Sequence, residues 1–291
     1  MNGNNKILNI TSTSNPRIKD IARLRQRSHR DEAGLILIEG YREVKRALDN
    51  KYKPYTIVSC SGLFMGSSEN TIIERCLQSG AEHITCTPSV FTKISARDRP
   101  DGLLAIGPQI HIKLETLSLP DNPLVIVAEA IEKPGNLGTI LRSADAAGAS
   151  AVIVCDKCTD IQNPNVVRAS IGTLFSIPVI ETSAAETVEF LKNKNFRIIA
   201  ATPHAENLYS EYDLTGPVAI VVGAEQYGLS DIWLKSGTAT LARIPMLGQC
   251  DSLNVASAAT ILIYEAVRQR ITANPAMIPI PHVHEKNGDR T

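Results

Sequence analysis

The hydrophobic pattern changes character part-way along the chain. In the first third, helical spacings at Pro16–Gln26, Arg42–Leu48 and Glu69–Gln78 alternate with strand-like runs at Leu35–Glu39, Tyr55–Cys60 and Leu103–Ile110. The stretch 107–123, GPQIHIKLETLSLPDNP, carries three prolines and little periodicity, and it reads as a linker. Beyond it the pattern becomes regular. Strand-like runs at Leu124–Ala128, Ala151–Cys155, Ile177–Ile180, Arg197–Thr202, Pro217–Gly223 and Thr240–Ile244 alternate with helix-like segments near Thr139–Ala147, Ala184–Asn193 and Ser252–Gln269. Such alternation predicts a mostly parallel α/β sheet. The expected organisation is a small N-terminal α/β domain over residues 1–112, a larger α/β domain over 113–271, and a flexible tail over 272–291.

Charge sharpens this division. The 291 residues carry 30 basic and 30 acidic side chains, a formal sum of zero. That sum excludes a histone-like or polybasic protein but hides an asymmetry. Residues 1–112 hold 16 Lys/Arg against 11 Asp/Glu, a net +5, whereas residues 113–270 hold 12 against 17, a net −5. Six basic residues (Arg17, Lys19, Arg23, Arg25, Arg27 and Arg30) crowd one short segment with a single acid, Asp20. A solvated helix surface accounts for part of such a cluster; the functional reading is a handle for nucleic-acid phosphates.

Composition removes other classes. The apolar runs Leu124–Ile131 and Val218–Ala224 fall well short of the roughly 20 residues that a membrane span needs. The first residues have no apolar leader pattern. A soluble, cytoplasmic protein with reduced cysteines is therefore expected, with no membrane partner. Cys155 and Cys158 form one C-x-x-C, but no second ligand pair of suitable spacing accompanies them, so no metal is assigned and a strand-end coincidence is the expectation. His282 and His284 read as part of the tail.

Three segments at strand ends carry candidate chemistry, since ligands of parallel α/β sheets sit outside the carboxyl ends of the strands. In EAIEKPGNLGTILRSADAAG, a buried strand passes through a Pro-Gly-Asn turn into a helix bearing Arg142, six residues beyond Asn136. Free N–H groups at that helix start, with an arginine in reach, suit a phosphate. The glycines do not make G-x-G-x-x-G, so a dinucleotide site is the weaker reading. In PVAIVVGAEQYGLS, Glu225 follows an apolar strand directly; a carboxylate there is costly if buried without partners. In RIPMLGQCDSLNVASAATILIYEAVRQR, a loop enters the longest helix. Asp251 or Ser252 is the expected cap, and Asn254 sits just inside the helix, where Asn is a mediocre former.

Taken together and in this order, GNLGTILRSADAAG, VVGAEQYGLS and IPMLGQCDSLNVASAATILIYEAVRQR resemble motifs 1, 2 and 3 of the SpoU/TrmH branch of the SPOUT methyltransferases. The resemblance runs through roughly residues 123–270. NPRIKDIARLRQRSHRDEAGLILIEGYREVKRAL is similar to the substrate-binding domain that precedes the catalytic one in many members. The resemblance implies methyl transfer from S-adenosyl-L-methionine to a ribose 2′-hydroxyl of RNA, a homodimer, and a SPOUT domain whose C-terminal part forms a trefoil knot. It implies catalytic roles for Asn136, Arg142, Glu225, Ser252 and Asn254. Cofactor contacts are implied at Gly223, Ile244, Met246 and Leu253, largely through backbone. Arg168, in NPNVVRASIGTLF, is similar to a substrate-facing arginine of some members.

A ribose hydroxyl is a weak nucleophile that must be aligned and relieved of its proton. Alignment is worth on the order of 7–11 kcal/mol and a general base a factor of about 10²–10⁴. A guanidinium stays protonated in proteins, so Arg142 is read as phosphate anchor and electrostatic stabiliser, with the proton acceptor open. Glu225 is expected to orient Arg or Asn. rRNA of the 23S type is favoured over tRNA by analogy of the N-terminal domain. A non-catalytic RNA-binding protein and a small-molecule methyltransferase are the competing readings.

Overall fold

The apolar runs of the second half fold as parallel strands because they are apolar on both faces. The structure, a computed structural model, describes residues 7–277. Strands β6 (Leu124–Glu129), β7 (Ala151–Cys155) and β10 (Val218–Val222) are buried at every position, as strands covered on both sides must be. With β8 (Val179–Thr182), β9 (Arg197–Ala201) and β11 (Thr240–Ala242) they form a six-stranded sheet, all parallel, in the order β11-β9-β10-β6-β7-β8. The chain leaves β6 towards β7 on one side and β10 towards β11 on the other. The adjacent strands β6 and β10 therefore mark the topological switch point, where a crevice opens at their carboxyl ends.

The helices α6 (Pro134–Ala146), α8 (Ala184–Asn193) and α10 (Val255–Ala273) alternate with these strands. α6 starts five residues before the expected Thr139, because Pro134 has a φ suited to the first helical position and no N–H to satisfy. At the far end of α10, buried Arg270 donates to the carbonyls of Leu214, Asn122, Pro123 and Gly216 at 3.0, 2.9, 3.1 and 2.6 Å, fixing that helix to the amino ends of β6 and β10. α10 passes the expected boundary at 271 and a 3-10 turn covers Pro275–Met277; the rest of the tail, with His282 and His284, lies outside the described residues.

The N-terminal part builds a separate five-stranded mixed sheet, β1-β4-β3-β5-β2, from β1 (Leu8–Ile10), β2 (Leu35–Glu39), β3 (Thr56–Ser59), β4 (Glu82–Cys86) and β5 (Leu103–Pro108). Its core gathers Ile18, Ile21, Leu24, Leu37, Val58, Ile84, Phe91 and Leu104. The helix expected over Pro16–Gln26 forms as α1 (Pro16–Arg23), and a second, unexpected helix, α2 (Arg27–Ala33), follows it. α2 has almost no apolar periodicity; it ends on Gly34 in the left-handed conformation at φ 65°. α3 (Tyr41–Asp49), α4 (Glu69–Gln78) and α5 (Pro88–Ile94) complete this part.

The chain forms two compact units that are not simple halves. The first comprises residues 1–111 with 133–142 and 159–176; the second comprises 112–132, 143–158 and 177–291. The first unit thus includes the start of α6 and all of α7 (Pro164–Ala169). Among the described residues, no helix is long and apolar enough to cross a membrane.

Candidate active site

The carboxyl end of β10 runs into a turn that only glycine permits. A Cβ on Gly223 would lie 2.5 Å from the carbonyl carbon and oxygen of Gly228 and 2.7 Å from the nitrogen of Leu229, all backbone atoms. Ala224 and Gly228 exchange two backbone hydrogen bonds of 3.1 and 3.0 Å, and Gly228 adopts φ 68°. Glu225 is therefore held at the tip of a closed, five-residue turn and is half-buried. Neighbouring β6 ends on Glu129, whose buried carboxylate accepts hydrogen bonds from Ser230 and Trp233 just beyond that turn. The end of β6 is thereby tied to the residues that follow the Glu225 turn.

The loop after β11 has a different character. Ile244 and Met246 are half-buried, and Leu253 is 39% exposed. Among the described residues, nothing from Ile244 to Leu253 forms a hydrogen bond, so the backbone donors and acceptors of this loop are open to a ligand. Asn254 ends the loop as the cap of α10, its Oδ1 accepting from the N–H groups of Ala256 (3.0 Å) and Ser257 (3.3 Å). This corrects the sequence expectation. The helix begins at Val255, so Asn254 lies outside it and does the capping assigned to Asp251 or Ser252. Ser252 is exposed in the loop.

Asn136 and Arg142 lie on the part of α6 that belongs to the first unit, half-buried and exposed respectively. Gly138 between them brings α6 against α7: a Cβ there would lie 2.5 Å from the Cβ of Ala169 and 2.8 Å from the nitrogen of Ser170. Arg142 and Arg168 are exposed, and neither guanidinium has a hydrogen-bond or ion-pair partner among the described residues. In the second unit, Ser143 Oγ and Thr260 Oγ1 share a hydrogen bond of 2.7 Å, joining the end of α6 to α10. Cys155 is buried, which pushes its thiol pKa up, while Cys158 is exposed. A thiol shifted in that direction is a poor nucleophile or metal ligand.

Comparison with known proteins decides what this arrangement is. Residues 123–264 match the SpoU rRNA Methylase family and residues 15–105 match an MRM3-like substrate binding domain. The chain is 30% identical over 267 residues to the 23S rRNA (uridine(2479)-2′-O)-methyltransferase of Streptomyces viridochromogenes, covering 89% of this chain and 91% of that protein. It belongs to the SpoU rRNA methylase family. A crystal structure of an RNA 2′-O ribose methyltransferase is similar with a TM-score of 0.80 and 43% identity, covering 91% of this chain and all, 100%, of that one. An AdoMet-bound rRNA methyltransferase from Sinorhizobium meliloti gives a TM-score of 0.82 at 32% identity, covering 90% and 98%. The fold is accordingly the SPOUT α/β architecture expected above.

Within this SpoU protein the basic cluster of the substrate-binding domain needs revision. Arg30 is 1% exposed; its guanidinium donates to the carbonyls of Leu24 and Arg25, each at 2.9 Å, and pairs with Asp160. Burial withdraws it from any RNA-facing role. Arg25 donates to the carbonyls of Ala22 (3.2 Å) and Ser95 (3.1 Å), and Arg17 forms a two-pronged pair with Glu82. Arg17, Lys19, Arg23, Arg25 and Arg27 all remain exposed. Arg23 and Arg27 are held only by intrahelical pairs of 3.3 Å to Asp20 and Asp31, and such surface pairs are weak. Nothing in the sequence pattern separated the buried arginine from the exposed ones. What marks Arg30 is Asp160, which lies 130 positions away.

Sequence reasoning also missed Glu129, which lies within the run Leu124–Ile131. The signal available was its position, a carboxylate ending a strand of Val and Ile.

Proposed function

We propose that this protein transfers a methyl group from S-adenosyl-L-methionine to a ribose 2′-hydroxyl of rRNA of the 23S type. The observation that carries the reading is the edge of the parallel sheet where β10 and β11 end. A glycine-dependent turn and a loop with unclaimed backbone groups leave the sheet there, in a family of rRNA methylases. These residues fit the cofactor: half-buried Ile244 and Met246 offer an apolar seat, and the loop backbone offers donors and acceptors for a base and an amino acid. Gly223, Ile244, Met246 and Leu253 would hold it. When bound, it supplies an electrophilic methyl on a sulfonium, so no leaving group has to be activated.

The chain's own residues then have to align the hydroxyl and lower the cost of charge. Arg142 and Arg168, exposed and uncommitted, anchor phosphates next to the target ribose in bidentate fashion. Asn136 and Ser252 orient the ribose, and Glu225, on its fixed turn, orients Asn or Arg. Asn254 contributes by fixing where the loop meets α10. Lys19, Arg23 and Arg27 are the RNA-capturing part of the first unit. The net +5 of residues 1–112 supports that division of labour between substrate capture and transfer.

The active assembly in this reading is a homodimer with a trefoil knot in the SPOUT domain, working in the cytoplasm where rRNA is modified. Support for a partner copy comes from large apolar side chains exposed in the second unit. Tyr227, Leu247, Leu253 and Tyr264 are 78%, 96%, 39% and 45% exposed and lie in the two loops and on α10.

Calorimetry with S-adenosyl-L-methionine tests the reading, with an expected Kd between about 1 µM and 1 mM, the usual range for enzyme substrates. In the same preparation Arg142→Lys is expected to bind cofactor normally but lose about tenfold or more in turnover, because an ammonium cannot reproduce the planar fork. No affinity for the cofactor would instead indicate a protein that only binds RNA.

A further inference from the structure

Glu129 has no part in the chemistry above, yet it is 2% exposed and accepts three hydrogen bonds. Ser230 N–H donates to Oε2 at 2.9 Å, Ser230 Oγ–H to Oε1 at 2.6 Å, and the Trp233 indole N–H to Oε1 at 2.9 Å. Taking a carboxylate out of water costs several kcal/mol unless its lone pairs are filled, and an apolar side chain at a strand end avoids that cost altogether. Packing alone therefore does not explain the acid.

What the acid holds is the returning arm of the Glu225 turn. The outgoing arm is fixed by β10, through Val222 paired with Ala128 of β6. The returning arm leaves Gly228, passes buried Leu229 and reaches Ser230, which both its backbone and its hydroxyl tie to Glu129. Ser230 is also the cap residue of α9 (Asp231–Leu234), yet its hydroxyl makes no cap hydrogen bond. The group that would ordinarily serve the helix is given to Glu129 instead. Trp233, fully buried, closes the same carboxylate from one turn further on.

We propose that Glu129 is the positioning residue of the cofactor turn: acting through Ser230 and Trp233, it sets where Gly223–Gly228 and Glu225 stand. The assignment rests on the methyltransferase reading. Glu129→Gln is the discriminating change because it keeps shape and removes one acceptor. Its carboxamide oxygen can serve one side, but its NH₂ must then face a donor, either Ser230 N–H or the indole N–H. A misplaced hydrogen bond to a charged acceptor of this kind weakens binding by about tenfold or more.

The experiment is calorimetry of S-adenosyl-L-methionine with the full chain, which reads affinity and the number of competent sites separately. For Glu129→Gln the expectation is a Kd raised about tenfold or more with the site number unchanged, and a shifted emission from Trp233, the single tryptophan of the chain. A purely structural role predicts the opposite, fewer sites at unaltered Kd, and that result would overturn the proposal. Should Glu129→Gln not fold, Ser230→Ala removes only the 2.6 Å hydrogen bond at an exposed position and is expected to raise Kd about threefold. Wild-type affinity retained in that variant would overturn the assignment alone. A wild-type chain without cofactor affinity would overturn the methyltransferase reading and the assignment together.

Discussion

Gly223→Ala adds one methyl group where the chain has no room for it. The new Cβ would lie 2.5 Å from the carbonyl group of Gly228, against an ordinary contact of 3.4 Å or more, so one of the two arms must move by about 0.9 Å. Neither arm yields easily. Val222, immediately before the glycine, is paired within the buried sheet, and Gly228 is held by two hydrogen bonds to Ala224 and by the Ser230–Glu129 contact two residues later. Forcing an added carbon into a packed site costs about 1–3 kcal/mol. If the turn absorbs the shift, most of that appears as lost cofactor affinity, roughly 5- to 150-fold at 1.4 kcal/mol per tenfold. If the strand absorbs it, the melting temperature falls by about 2–4 °C per kcal/mol for a domain of this size. Titration with S-adenosyl-L-methionine beside a thermal melt separates the two. Cofactor affinity and melting temperature both unchanged would show that the turn does not have the tight geometry described, and would refute the reasoning.

Two further outcomes concern the basic segment. Arg30→Ala should lower unfolding free energy by about 3–5 kcal/mol in denaturant titrations, because it leaves Asp160 and two carbonyls without their buried partner; a loss within about 0.5 kcal/mol would contradict its structural role. The triple change Lys19→Ala, Arg23→Ala and Arg27→Ala should weaken RNA binding, reduce the magnitude of its salt slope by up to about 2–3, and leave cofactor affinity intact. Equal losses of RNA and cofactor affinity would indicate misfolding instead.

Much of the second unit was legible in the sequence because strands buried on both faces write themselves as continuous Val/Ile/Leu/Ala runs. β7 and α8 coincide with the predicted spans, and the three motif segments fall at strand ends. The misses have physical reasons. β4, EHITC, is too polar to read as an apolar run, and α2, RSHRDEA, has no apolar face to give it a period. Asn254 was placed inside α10 because periodicity cannot fix a helix start to within a residue or two, whereas its cap hydrogen bonds do. The basic segment misled most. Charge density along a chain says nothing of burial, and Arg30 and Arg17 are committed to acids far away in sequence. Glu129 lay unremarked inside the run Leu124–Ile131; the role proposed for it depends on a serine and a tryptophan about a hundred residues later.

The central claim is most directly tested by incubating the purified chain with unmodified 23S rRNA and labelled S-adenosyl-L-methionine, then digesting the RNA to nucleosides for mass spectrometry. The account predicts a single labelled 2′-O-methylnucleoside, dependent on the cofactor and lost in Arg142→Ala. Label on a nucleobase, or no transfer to rRNA by a chain that binds the cofactor, would contradict it.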